Sequence, residues 1–138
     1  MAIAWEGIKE GDSLPELRKK PGVSQLVKYA AGSGDFNPLH YDYKFSHSQA
    51  IGSIIIHGRF KYALLGELVS NWLNHQGRIK KISCQHFGMD YPNKEIICKG
   101  TVLRKWEEGG EKLAELRVWT VNEDGKRTTQ GKVVVAFE

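Results

Sequence analysis

The sequence has no long hydrophobic run and only two cysteines, and these shortages exclude several classes of protein. None of its apolar stretches approaches the roughly 20 residues that a membrane-spanning helix needs. The first residues, MAIAWEGIKEGDSLPE, lack the basic start and apolar core of a secretory leader. Cys84 and Cys98 show neither CxxC nor Cys/His zinc spacing. We therefore expect a cytoplasmic protein with reduced cysteines, no bound metal and no membrane association.

Positive charge is present but is not arranged as nucleic-acid-binding proteins arrange it. The net charge is +4 at pH 7, yet no DNA- or RNA-binding motif and no interleaved aromatic platform accompanies the basic clusters. The glycines of AGSGDFN do not form a GxGxxG fingerprint after a strand, so no nicotinamide or flavin cofactor is expected. The remaining composition, 41% hydrophobic and 26% charged over 138 residues, is typical of one globular domain, which we place at 1–138.

The first half of the chain carries two helical patterns. A short helix is predicted from Ser24, as its N-cap, to Gly32 or Gly34. The segment HGRFKYALLGELVSNWLNHQG follows a strand-like run, IGSIII, and predicts the longest helix, closed by Gly77. Apolar residues recur there at helical spacing, so we expect that helix to be mostly buried. They are Phe60, Ala63, Leu64, Leu68 and Trp72.

The second half changes to the period of strands. Four strands are predicted, at Ile79–Phe87, Glu95–Trp106, Lys112–Val121 and Arg127–Phe137. The turn segments DYPNKE, EEGGE and NEDGK separate them, and the last contains an Asp-Gly pair favoured in tight hairpins. A long apolar helix followed by an antiparallel meander predicts an α+β fold in which the sheet wraps the helix.

The loop GSGDFNPLH, Gly32 to His40, holds an aspartate and a histidine five residues apart at a helix exit. One interpretation is a polar turn, in which Asp35 caps the chain and His40 follows by chance. The other is a proton-handling pair, because His57-Gly58 stands where a helix starts and offers unpaired backbone N–H groups. His57 itself is interpreted as a packed, hydrogen-bonded residue. The residues alone leave both interpretations open.

The segments "YAAGSGDFNPLHYD" (Tyr29 to Asp42) and "IIIHGRFKYALLG" (Ile54 to Gly66) together resemble the hydratase signature of the MaoC-like family. This family includes R-specific enoyl-CoA hydratases and (3R)-hydroxyacyl-thioester dehydratases. The later segment "FGMDYPNKEIICKGTV" (Phe87 to Val102) is similar to its next strand-turn-strand unit, so the resemblance runs from about Val23 to the C-terminus. It implies a hot-dog fold, with a long central helix wrapped by a curved antiparallel sheet, and a homodimer joined edge to edge.

The resemblance also implies roles for individual residues. Asp35 and His40 match the family's catalytic pair, and Gly58 matches the glycine whose backbone N–H polarises the thioester carbonyl. Asn37 matches the motif's asparagine, which either orients the loop by hydrogen bonds or serves as a turn residue before the following proline. Many relatives have an apolar residue where Arg59 stands, which puts the pocket shape and the acyl-chain preference in doubt.

The implied activity is a hydro-lyase reaction that interconverts trans-2-enoyl and (3R)-3-hydroxyacyl thioesters. Coenzyme A or the phosphopantetheine of an acyl carrier protein would belong to the substrate, and no separate cofactor is expected. Basic residues are candidate contacts for such an anionic carrier, and they are Arg59, Arg78, Lys80 and Lys81. Two alternatives remain open: a hot-dog acyl-thioesterase, and a non-catalytic acyl-thioester-binding subunit of a heterodimer.

Overall fold

The structure, a computed structural model, describes residues 3–49 and 51–138. The helices of this part of the chain are α1 (Val23–Ser33), α2 (Tyr43–Ser48) and α3 (Gly58–Leu73). Its strands are β1 (Leu17–Lys19), β2 (Gly77–His86), β3 (Ile96–Glu108), β4 (Glu111–Val121) and β5 (Arg127–Phe137). In the same ranges, no helix is both long and apolar enough to cross a membrane.

The five strands form one antiparallel sheet in the order β1-β3-β4-β5-β2. The register shifts within three of the strand pairs, and such bulges bend a sheet and increase its twist. The four long strands confirm the predicted α+β arrangement, in which a curled sheet surrounds a helix. Strand β1, which pairs with β3, was not predicted, because three residues after a proline are too few to show alternation.

Helix α3 is the element that the sheet wraps. Its buried apolar residues are Leu64, Leu65, Leu68, Val69 and Leu73. Of the apolar residues predicted to be buried on this helix, Ala63 is exposed, and Phe60 and Trp72 are half-buried. The Trp72 ring meets the Phe137 ring edge-on, with centroids 5.9 Å apart, and so ties the end of the helix to β5. Burial of each such leucine contributes about 1.5–3 kcal/mol, which makes α3 the main support of the core.

Local start and stop signals explain most of the remaining chain. Helix α1 begins one residue before the predicted N-cap, Ser24, and is capped at Gly22, whose N–H donates to the Gln25 side chain. It ends at Ser33 and is capped by Gly34, which has a φ of 76° that a residue with a side chain rarely adopts. The predicted Asp-Gly turn joins β4 to β5, with Asn122 Oδ1 accepting from two backbone N–H groups of the turn.

The two cysteines are free, as expected. Burial raises the pKa of the Cys84 thiol to about 11, and burial also raises the pKa of the Cys98 thiol to about 12. The nucleophile of a thiol is its thiolate form, so neither residue is activated for attack at neutral pH.

Candidate active site

Asp35 uses its two carboxylate oxygens for different purposes. Helix α1 ends in the left-handed Gly34, and Asp35 then folds back so that its Oδ1 accepts from the Asn37 N–H at 3.4 Å. Its Oδ2 faces the His40 ring, 3.9 Å from Nε2. The side chain is 34% exposed, so it can be reached from solvent. The polar turn and the Asp–His pair are therefore both present, and the two interpretations of this loop do not compete.

His40 is fixed in one tautomer by its surroundings. It ends a short 3-10 turn, Pro38–His40, in which the Leu39 N–H donates to Asn37 Oδ1 at 3.1 Å. The His40 Nδ1 lies 2.8 Å from the carbonyl oxygen of Ile55. A carbonyl oxygen can only accept, so Nδ1 carries the proton and Nε2 presents a lone pair toward Asp35. Asn37 thus has a turn-forming contact, as one of its two interpretations required.

The strand-like run that contains Ile55 does not form a strand. Residues Ile54 to Ile56 form an extended loop whose N–H groups donate to separate segments, Ile55 to Leu39 O at 2.9 Å and Ile56 to Asp90 O at 2.8 Å. These bonds hold the loop between the 3-10 turn and the segment before β3. The side chains of Ile54 and Ile56 are buried, which explains the apolar run without a strand.

His57 is packed against His40, as expected, but the expected hydrogen bond to its ring is absent among the described residues. Its ring is fully buried and stacks on His40, with centroids 3.8 Å apart and planes 22° apart, while Tyr29 meets it edge-on. Burial lowers the pKa of His57, and a proton on the neighbouring His40 would lower it further. The backbone of Asp35 approaches the ring, yet neither ring nitrogen has a hydrogen-bond partner within 3–49 and 51–138. His57 therefore supports His40 as a neutral, stacked ring.

Asp35, His40 and His57 place their ligand atoms within 4.8 Å of one another, a spacing that a metal ion could bridge. The ring stacking argues against that use. Two rings that are stacked nearly parallel direct their nitrogen lone pairs side by side, whereas tetrahedral coordination needs lone pairs that converge. The arrangement fits proton transfer better than metal binding.

Gly58 begins helix α3, and its backbone N–H has no acceptor among the residues that the structure describes. The first backbone bonds of the helix run from Phe60 and Lys61 to the carbonyl oxygen of His57, at 3.1 and 3.2 Å. The N–H groups of Gly58 and Arg59 precede them and have no acceptor within the helix. The positive end of the helix dipole adds to the potential of these donors, so an oxygen that gains negative charge is stabilised there.

A buried ion pair behind this helix start was missed in the sequence. Lys61 Nζ lies 3.0 Å from Asp90 Oδ2 and 3.0 Å from the carbonyl oxygen of Gly88, and both charged side chains are almost completely buried. Asp90 also accepts from the Thr128 hydroxyl on β5. The contacts join α3, the segment before β3 and the sheet. A lysine three and four residues before the buried Leu64 and Leu65 was the available signal.

A second residue missed in the sequence, His86, lies against the helix start. An added Cβ on Gly58 would stand 3.0 Å from His86 Nε2 and within 3.3 Å of two further ring atoms. The other nitrogen, Nδ1, lies 3.1 Å from the buried Thr129 hydroxyl. Burial, followed by the charge of Lys61, lowers the pKa of His86. No motif marks this residue, because only the fold brings the end of β2 to the start of α3.

The basic carrier candidates are divided between two places. Arg59 is exposed at the start of α3, beside Gly58. Arg78 and Lys80 lie near the other end of β2, where both pair with Glu111 at 2.9 and 2.6 Å. From Arg78 to His86 the strand spans about 25 Å. The exposed Lys81 lies between these ends. The structure thus brings Arg59 to the site and leaves the other three along the edge strand that leads away from it.

The fold and the site together define a class. A curled five-stranded antiparallel sheet around one long helix, in this strand order, is the hot-dog fold. The chain belongs to the MaoC-like domain family, whose model matches residues 12–123. The resemblance found in the sequence is thereby confirmed.

The similar proteins differ greatly in length. An (R)-specific enoyl-CoA hydratase of Aeromonas caviae is 36% identical over 108 residues, which cover 78% of this chain and 69% of that protein. Fatty acid synthase subunit beta of Saccharomyces cerevisiae is 32% identical over 98 residues, 70% of this chain but only 5% of that subunit. The solved (R)-hydratase from A. caviae involved in PHA biosynthesis has a TM-score of 0.89, 24% identity, and coverage of 96% and 99% of the two chains.

Proposed function

We propose that this protein reversibly adds water to a trans-2-enoyl thioester to give the (3R)-3-hydroxyacyl thioester. The observation that carries the proposal is the Asp35–His40 pair, in which a carboxylate oxygen and Nε2 face each other 3.9 Å apart while Nδ1 lies 2.8 Å from the carbonyl oxygen of Ile55. The His40 ring stacks on His57, the residue that precedes Gly58 at the start of α3. The A. caviae hydratase, similar over most of this chain, supports the same reaction class. The acyl group would be carried by coenzyme A or phosphopantetheine, and no other cofactor takes part.

The separation between Asp35 and His40 suits one shared water molecule. Both facing atoms are acceptors, so a water that makes two hydrogen bonds of about 2.8 Å points both of its hydrogens at the pair. Its lone pairs then face away from them, toward C3 of the substrate. As the water oxygen bonds to C3, one of its protons passes to the pair, and the pair delivers a proton to C2. The balance is the addition of one hydrogen and one hydroxyl group across the double bond.

Gly58 supplies the remaining requirement, which is a donor for the thioester oxygen. Negative charge develops on that oxygen when C3 is attacked, and it returns to carbon when C2 is protonated. A backbone N–H at a helix start is already oriented before the reaction, so it stabilises the charge without reorganisation. Arg59, beside it, is the proposed contact for the phosphates of the carrier or for an acidic carrier protein, with Lys81 and the Glu111-paired Arg78 and Lys80 further along β2.

We also propose that the protein works as a homodimer joined through strand β2. This strand lies at the end of the sheet order, so a row of its backbone groups lacks a partner strand among the described residues. An unpaired edge of ten residues favours pairing with another strand. A second copy would extend the sheet across the edge that ends at His86, next to the site.

The test is the loss of the conjugated enoyl-thioester absorbance on addition of the protein to crotonyl-CoA and to a medium-chain enoyl-CoA. Asp35→Asn and His40→Ala should each lower kcat by about 10² to 10⁴. Asp42→Asn is the matched control, because Asp42 caps α2 by accepting from the Phe45 N–H and asparagine caps equally well. Normal rates in the Asp35 or His40 variant would refute the proposal.

Two results would favour the alternatives instead. Release of free thiol from acyl-CoA, measured with a thiol reagent, would indicate a thioesterase. Absence of both reactions, together with co-purification of a related chain, would indicate an acyl-thioester-binding subunit of a heterodimer.

A further inference from the structure

His86 occupies a place that the proposed chemistry has not yet used. It is the last residue of β2, and its ring lies across the first turn of α3, so close to Gly58 that any side chain there would touch three ring atoms. Gly58 and His86 therefore fit each other: the glycine leaves the space that the ring fills. The residue remains partly exposed, so a ligand at the helix start can reach the ring.

We propose that His86 Nε2 donates a second hydrogen bond to the thioester oxygen that Gly58 binds. This inference rests on the proposed hydratase function and adds a catalytic residue to it. The oxygen would then lie between two donors on different elements, a backbone N–H at the start of α3 and a ring N–H at the end of β2. Two donors define the direction of the carbonyl group, which one donor cannot do.

The Thr129 hydroxyl makes this role possible. A hydroxyl can donate or accept, so the contact of Thr129 with Nδ1 is kept in either tautomer of the ring. When the hydroxyl donates to Nδ1, the proton of the neutral ring resides on Nε2 and faces the helix start. An acceptor oxygen beside Gly58 selects that tautomer. Thr129 is fully buried on β5, so it also fixes the plane of the ring.

The charge environment favours a neutral donor at His86. Lys61 lies one turn along α3 from Gly58, and its charge, together with burial, keeps the pKa of His86 below the ordinary value. A neutral imidazole can stabilise a developing negative charge by donating a hydrogen bond without giving up its proton. His86 is thus distinct in role from His40, whose Nε2 must be free to accept.

The kinetic test compares His86→Gln, which keeps an N–H donor, with His86→Leu, which keeps bulk and removes the donor. We expect His86→Leu to lower kcat for crotonyl-CoA hydration by about 10- to 100-fold with KM nearly unchanged, and His86→Gln to retain most of kcat. Wild-type kcat in His86→Leu would overturn the inference, as would equal losses in both variants. A wild-type protein inactive on enoyl thioesters would instead refute the proposed function, and this inference with it.

A second measurement does not depend on turnover. Butyryl-CoA has no double bond to hydrate, so it can occupy the site while nitrogen-15 NMR of the imidazole reports which ring nitrogen of His86 carries the proton. Protonation at Nε2 in the presence of butyryl-CoA supports the inference. Protonation at Nδ1 alone, or a His86 signal that saturating butyryl-CoA leaves unchanged, overturns it.

Discussion

Replacing Lys61 by methionine tests how far the buried ion pair supports the start of α3. The change keeps the length of the side chain and removes its charge, so Asp90 is left as a buried carboxylate with the Thr128 hydroxyl as its remaining side-chain donor. The carbonyl oxygen of Gly88 also loses its donor. Removal of one member of a buried pair costs about 3–5 kcal/mol. Because Thr128 still donates to Asp90, we expect the lower end, about 3 kcal/mol.

The assay is urea unfolding followed by far-ultraviolet circular dichroism at a fixed protein concentration. In a thermal melt of the same variant, a loss of about 3 kcal/mol corresponds to a fall in Tm of about 10 °C for a domain of this size. Exposed Lys28→Met is the control, and it should change stability by less than about 0.5 kcal/mol. Adding Asp90→Asn to Lys61→Met should recover part of the loss, because the unpaired charge is gone. A loss below about 1 kcal/mol in Lys61→Met, or no recovery in the double variant, would refute the reasoning.

Two further predictions concern packing and pH. Gly131→Ala should lower the free energy of unfolding by about 1–3 kcal/mol, because the added Cβ would lie 2.0 Å from a backbone oxygen of β2. Gly66→Ala should be neutral or stabilising, because no described atom beyond its own helix lies within 4 Å of the added Cβ. Equal urea midpoints for the two variants would contradict this prediction. Burial lowers the pKa of His57, so the unfolded chain takes up a proton there more readily, and stability should fall as pH drops below about 6.5. The difference in urea midpoint between pH 7.5 and 5.5 should be smaller in His57→Gln; an unchanged difference would exclude His57 as its source.

The periodic parts of the fold were predictable from the sequence, and the parts that depend on long-range contacts were not. Alternation over ten or more residues located β2 to β5, since a strand with one buried face repeats every two residues. The run Ile54–Ile56 looks strand-like in sequence yet forms a loop, because burial alone can make a loop apolar. Strand β1 was missed because its three residues pair with β3, about 80 positions further along the chain.

The same division applies to the site. Asp35, His40 and Gly58, the residues of the proposed site, could be predicted because they belong to two compact motifs that keep their own spacing. His86 was missed, since its neighbour Gly58 is far away in sequence and no local pattern relates them. Lys61 was missed for another reason: a lysine within the apolar residues of α3 is buried only because Asp90, 29 positions further along the chain, pairs with it.

The double use of the Asp35 carboxylate has an evolutionary consequence. Asparagine retains the side-chain oxygen that accepts from the Asn37 N–H, so the turn survives an Asp35→Asn exchange, while the proton-accepting oxygen opposite His40 is replaced by a donor. Aspartate and asparagine codons differ by one nucleotide. If the proposed function is correct, a single point mutation separates a catalyst from a silent copy of the same shape. Gene duplication followed by that mutation would then yield a scaffold subunit that already matches its active counterpart.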